Sequence, residues 1–319
     1  MSTQFSRRDF LRMAAALPGA LAIQGSFAAP AAPAATPGMV LAKNYGNLMQ
    51  TVKPITISAI DVHGHYGNYI ISDPPLYGQH ILYNEFMTAD AAQVARRGRL
   101  AGIEWTVVSP LLGLFPFNRA NAATGNDEAF GLVPKTPGLR QWVIVNPLQP
   151  ATYAQAEAML KSPWCVGIKI HPEVHGYPIR DHGRSLFEFA ARLRAVVLTH
   201  SGDPNSLPFD LLPFADSFPE VRLILAHLGH GSDLTLQVRA IQASRHGNVF
   251  VDTSSGNSII SGLVEWAVRE IGADRILFGT DTPCYFAAMQ RMRIEQAEIK
   301  DDERRKILSE NARRLLSLN

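Results

Sequence analysis

The sequence predicts a (β/α)8 TIM barrel on three observations. Short runs rich in β-branched residues alternate with stretches that are amphipathic at helical spacing. The alternation repeats eight times, and about 250 residues is the usual size of such a barrel. Polar residues competent for metal or proton chemistry gather at the C-terminal ends of the apolar runs, where barrels keep their catalytic face.

The candidate strands in order are Ile55–Asp61, Ile103–Ser109, Gln141–Asn146, Val166–His171, Val196–His200, Arg222–His227, Val249–Thr253 and Arg275–Asp281. Helical patterns separate them, among them Ala89–Leu100, Tyr153–Leu160, Ser185–Arg194, Leu234–Ser244 and Gly262–Ile271. Strands alternating with helices indicate right-handed βαβ units and a parallel sheet. An open doubly wound sheet is disfavoured because no strand is followed by a Gly-x-Gly-x-x-Gly turn.

Residues 1–28 read as an export signal outside the fold. Ser6-Arg7-Arg8-Asp9-Phe10-Leu11 precedes an apolar run from Met13 to Ile23, and Ser26-Phe27-Ala28 has the small-bulky-small pattern of a cleavage site. The run is too short and too rich in Ala and Gly to span a membrane, and the paired arginines resemble a twin-arginine signal. Cleavage would leave a periplasmic or otherwise extracytoplasmic protein. Arg7, Arg8 and Arg12 against Asp9 give this segment the same +2 as the whole chain. The remainder is close to neutral, which offers no electrostatic reason to expect nucleic acid or acidic lipid. Residues 29–50 form an Ala/Pro-rich linker and N-terminal extension, and the barrel is expected over 51–319. Cys165 enters the fourth strand and Cys284 follows the eighth, at opposite ends of opposite walls, so both should be free.

Asp61-Val-His-Gly-His65 carries the first chemical signal. Side chains on a strand repeat with period two, so His63 and His65 point to one side and form half of a metal site. Lys169, His171, His200, His227, Asp252 and Asp281 lie at or just beyond other strand ends. Six strand ends bearing such groups is not a packing pattern.

These motifs, with Gly167-Ile-Lys-Ile-His-Pro172, Leu198-Thr-His-Ser-Gly202, Leu225-Ala-His-Leu-Gly229, Phe278-Gly-Thr-Asp-Thr-Pro283 and a closing segment from Ile307 to Leu316, resemble the amidohydrolase superfamily. The resemblance is narrower to the amidohydrolase-related group of metal hydrolases and decarboxylases, and it covers nearly all of residues 51–319. It implies that His63, His65 and His200 bind a metal through nitrogen and that Asp281 holds the metal, the attacking water or both. It implies further that His227 positions or protonates the reacting group. Lys169 would bridge two ions or bind an anionic substrate group, with one metal favoured. Asp252 would fix a histidine tautomer, and Asp61 could do the same. His171 and His230 are candidates for contacting substrate or supporting a ligand. His80 and the tyrosines Tyr66, Tyr69, Tyr77 and Tyr83 mark the first loop as a pocket wall. His175, His182 and His246 read as surface or loop residues.

Three histidines and a carboxylate suit Zn²⁺ best and also admit Mn²⁺, Fe²⁺ or Co²⁺. The expected reaction is hydrolysis of an ester, lactone or amide by a metal-activated water, with Asp281 as base. The alternative is decarboxylation of an unsaturated or aromatic carboxylate, anchored by Lys169, Arg119 or Arg180. A second alternative is a non-catalytic exported binding protein. The expected partner is a small molecule; a homodimer is compatible with the sequence.

Overall fold

The computed structural model describes residues 57–69, 85–115 and 122–318. The signal segment, the linker, His80, Tyr77, Tyr83 and Arg119 lie outside them. Eight parallel strands stand side by side in chain order: β1 (Ala59–Tyr66), β2 (Ile103–Pro110), β3 (Leu139–Ile144), β4 (Cys165–Ile170), β5 (Val196–Thr199), β6 (Arg222–Leu225), β7 (Val249–Asp252) and β8 (Ile276–Leu277). A helix follows each strand: α1 (Ala91–Leu100), α2 (Ala122–Leu132), α3 (Ala151–Met159), α4 (Ile179–Arg192), α5 (Pro208–Ser217), α6 (Leu236–Ala243), α7 (Leu263–Ile271) and α8 (Ala287–Glu295). The fold is the (β/α)8 barrel the sequence predicts. In α1 the logic is local. Asp90 accepts from the Gln93 N–H while Gln93 accepts from the Asp90 N–H, and Ala91, Val94, Ala95 and Gly98 form the buried stripe.

Beyond β8 the chain seals the ring against β1. The Val62 N–H donates to Phe278 O at 2.9 Å, and the His65 N–H donates to Thr282 O at 2.7 Å. The Asp61 carboxylate accepts from the Thr280 N–H at 3.0 Å and from its hydroxyl at 2.7 Å.

Period-two alternation sorts the apolar residues into two layers. Val196, Leu198, Ile224, Phe250 and Leu277 pack with Trp142 and with the C-terminal Ala312, Leu315 and Leu316 inside the barrel. Val197, Leu223, Leu225, Val249 and Val251 pack outward against the helices. The same alternation carries Lys169, His200 and Asp252 inward at the mouth.

Several boundaries differ from the sequence expectation: β3 runs Leu139–Ile144 rather than Gln141–Asn146, β6 ends at Leu225 rather than His227, and α4 begins at Ile179 rather than Ser185. β1 starts at Ala59 and runs through Tyr66, because its ladder with β2 continues through His65↔Ser109 and Tyr66↔Pro110. The β8 ladder is only Ile276–Leu277, because the following residues bond singly to β1. Both cysteines are free.

Candidate metal centre

The floor of the mouth begins with an irregularity in β1. Asp61 pairs with Thr106 and Gly64 with Val108, so three steps along β1 match two along β2. This bulge shifts the alternation: Ile60 and Val62 join the interior apolar cluster, yet His63 and His65 also reach the mouth. Gly64 is required between them, since a Cβ there would lie 2.5 Å from the Thr106 methyl. Asp61 consequently serves the backbone. It accepts from the His63 N–H at 3.0 Å and from Thr280, and it touches neither imidazole, contrary to the role the sequence suggested. Burial pushes this carboxyl up to about 7 against those hydrogen bonds.

His63 is 1% exposed, with Nδ1 2.9 Å from Asp252 Oδ2, as the sequence anticipated for Asp252. Its Nε2 lies 2.9 Å from the Lys169 ammonium and 3.7 Å from Asp281 Oδ1. His65 donates from Nδ1 to Ser109 O at 2.9 Å, which turns its Nε2 toward Asp281 Oδ1, 3.1 Å away. Asp281 and His227 both have positive φ, +56° and +70°. Such backbone costs roughly 1–3 kcal/mol per residue and concentrates at functional sites. Each is held in place: the Asp281 N–H donates to His63 O at 2.7 Å, and the His227 N–H donates to Asp252 Oδ1 at 3.0 Å.

The opposite wall comes from the loops after β4, β5 and β6. His171 stacks on His200 with ring centres 4.2 Å apart. His200 Nε2 lies 2.6 Å from Asp203 Oδ2, and His230 Nε2 lies 3.3 Å from the same oxygen. The hydrogen bond to His200 holds the Asp203 carboxyl down at about 2. Gly202, at φ +111°, lets the two loops meet, because a Cβ would lie 2.6 Å from His230 O. Lys169 is fully buried, and burial lowers its ammonium to about 8 against the pull of Asp252 and Asp281.

Burial keeps the imidazoles of His63 and His227 well below the usual histidine range, so both are neutral. The Nε2 atoms of His63 and His65 both face one carboxylate oxygen of Asp281, at 3.7 and 3.1 Å. Ligand atoms of His63, His227 and Asp281 lie within 4.8 Å of one another, and those of His200, Asp203 and His230 form a second such group. His200 Nδ1 is buried with no hydrogen-bond partner among the described residues. Imidazoles and carboxylates so clustered, beside an unpartnered nitrogen, fit a divalent cation.

A cavity of about 200 Å³ opens onto these groups, walled by Tyr69, Leu111, Leu114, Phe115 and Val174 as well as by the histidines, Asp203, Asp281 and Cys284. Tyr66 turns instead into the core at 3% exposure. Arg180 cannot anchor a substrate in this cavity: it is 69% exposed and paired with Asp210 on the surface. His175 is half-buried, with Nε2 3.1 Å from Gly113 O, and His182 packs against Tyr177; His246 is exposed. The sequence reading missed Ser254, whose hydroxyl lies 3.0 Å from His63 Nδ1 and 2.8 Å from His227 Nδ1. It missed Asp203 as well. Both sit in loops of small polar residues, where Asp252-Thr-Ser-Ser255 and Ser201-Gly-Asp203 carry no distinctive spacing.

Comparison with known proteins agrees with the geometry. The chain is 31% identical over 121 residues to gamma-resorcylate decarboxylase of Polaromonas sp.; the match spans 33% of this chain and 36% of that relative's length. A dihydroxybenzoic acid decarboxylase from Polaromonas sp., solved with manganese and the inhibitor 2-nitroresorcinol, superposes with a TM-score of 0.65 at 18% identity, covering 83% of this chain and 98% of the other. A 5-carboxyvanillate decarboxylase from Sphingomonas paucimobilis gives 0.63 at 13% identity, covering 83% and 100%. The amidohydrolase family profile matches residues 60–318. The chain therefore belongs to the amidohydrolase family.

Proposed function

We propose that the protein is a metal-dependent decarboxylase acting on a small aromatic or otherwise unsaturated carboxylate. This replaces the hydrolysis expected from sequence, because the relatives above are decarboxylases. The observation that carries the reading is Asp281. Its side chain is 16% exposed, touches the histidine cluster, and shares a small cavity with apolar Leu111, Leu114 and Phe115. A cavity of about 200 Å³ has room for a small ring.

His63, His65, His200 and Asp281 would hold one divalent cation, His200 through the unpartnered Nδ1 while Asp203 fixes its Nε2. The relative holds manganese, and the donor set suits manganese as well as zinc. When bound, the cation neutralises and orients the substrate's oxygen atoms. Asp281 is the side chain placed to hand a proton to the carbon that bears the carboxylate. The carbon–carboxylate bond then breaks, carbon dioxide leaves, and the ring keeps the new C–H bond. The apolar wall favours neutral carbon dioxide over the carboxylate it came from. Carbon dioxide release from a panel of aromatic and unsaturated carboxylates tests the reading, and no release from any of them refutes it.

A second reading, hydrolysis of an ester, lactone or amide, draws on the Asp203 bridge between His200 and His230, which could pass a proton to a leaving group. Turnover of esters or lactones without carbon dioxide release would select it. We also propose export through residues 1–28. A cell-envelope product beginning at Ala29, lost when Arg7 and Arg8 are replaced by Lys, checks that assignment.

A further inference from the structure

We infer that Ser254 is a positioning residue that fixes the tautomers of two site histidines at once. The places protons can occupy decide this, whichever reaction the site performs. The Asp252 carboxylate accepts at Oδ1 from the His227 N–H at 3.0 Å and the Ser254 N–H at 2.9 Å. The Ser254 hydroxyl is hydrogen-bonded to the same oxygen. Two oxygens in such contact need a proton between them, and Asp252, which accepts from every other neighbour, does not supply it. The proton is therefore the hydroxyl's own.

A hydroxyl has one proton. With it committed to Asp252, Ser254 Oγ can only accept from the ring nitrogens beside it. His227 Nδ1, 2.8 Å away, must carry a hydrogen and donate it. His63 Nδ1, 3.0 Å from Oγ and 2.9 Å from Asp252 Oδ2, must do likewise. In a neutral ring that places the lone pair on Nε2 in both residues. The Lys169 ammonium 2.9 Å from His63 Nε2 agrees, because an ammonium can only donate.

The consequence changes the part assigned to His227. With Nε2 unprotonated it meets a ligand as an acceptor, so it can bind a cation or take a proton and does not begin the reaction as an acid. Removing the Ser254 hydroxyl deprives His227 Nδ1 of its acceptor and allows the hydrogen to move to Nε2.

Nitrogen-15 NMR of the metal-free protein reads the tautomers directly. Both His63 and His227 are expected as Nδ1–H species, and an Nε2–H signal for His227 in the unaltered protein overturns the inference even if no variant folds. Ser254→Ala should mix the His227 tautomers and weaken divalent-metal binding by about 10–100-fold, measured by titration with Mn²⁺ and Zn²⁺. Ser254→Thr, which keeps the hydroxyl, should restore both. A folded Ser254→Ala protein with parental tautomers and parental affinity would also overturn it.

Discussion

On the β1–β8 side of the mouth, Asp281 is fixed by its own backbone, whose N–H reaches the His63 carbonyl at 2.7 Å. On the β5–β6 side, Asp203 reaches His200 and His230 through a single carboxylate oxygen. The first wall is locked by main-chain bonds, a buried carboxylate at Asp61 and a bulge. The second is joined by side chains, with Asp203 36% exposed and His230 37% exposed. A group whose backbone is tied to the opposite strand keeps its angle through a reaction cycle. A group held by one carboxylate can shift as ligands come and go. The locked wall should therefore carry the chemistry, and the looser wall should tune it.

The largest expected effect tests that division at Asp281. Asp281→Asn should lower kcat by about 10²–10⁴-fold with an unchanged melting temperature; a near-parental rate would move the proton chemistry to the other wall. Next comes the metal. Chelation should abolish turnover, and readdition of Mn²⁺ or Zn²⁺ should restore it. Asp203→Asn should weaken metal binding by roughly 10–100-fold, while His63→Ala weakens it further. Equal losses in calorimetric titration would erase the difference between the walls.

Asp61→Ala removes the acceptor of three donors at the β1–β8 seam and should destabilise the fold by about 2–3 kcal/mol in urea unfolding. The smallest effect is a control away from both walls. Burial raises the Glu265 carboxyl, but hydrogen bonds from Arg293 and the Glu298 N–H outweigh it and bring it to about 2 from an ordinary 4.5. A depressed carboxylate stabilises above its unfolded value and loses that contribution as the pH falls through its folded one. The parent should thus lose stability between pH 4.5 and about 2, and Glu265→Gln should show a flatter profile in acid melts.

Most of the barrel was legible because its strands are short, β-branched and bounded by helical patterns such as Leu263–Ile271. The site positions were legible wherever alternation was unbroken, as for His200 after Val196 and Leu198. Reading failed where geometry departs from alternation. The bulge that separates Asp61 from the histidine face leaves no mark in Asp61-Val-His-Gly-His65 beyond its glycine. The positive φ of His227 and Asp281 is set by long-range bonds, and Ser254 and Asp203 gain their roles from neighbours far along the chain. Arg180 illustrates the converse, since a charge at a plausible position was spent on a surface pair.

The seam also orders events in time. Asp61 and Thr280 are bonded across a separation of 219 residues. A ribosome delivers His63 and His65 early and Asp281 only near the end of synthesis. An emerging chain therefore carries two imidazoles without the carboxylate that faces them, and the pocket is complete only when the C-terminal stretch has folded back. Retention of a cation by a released chain would then report that translation and ring closure are both finished.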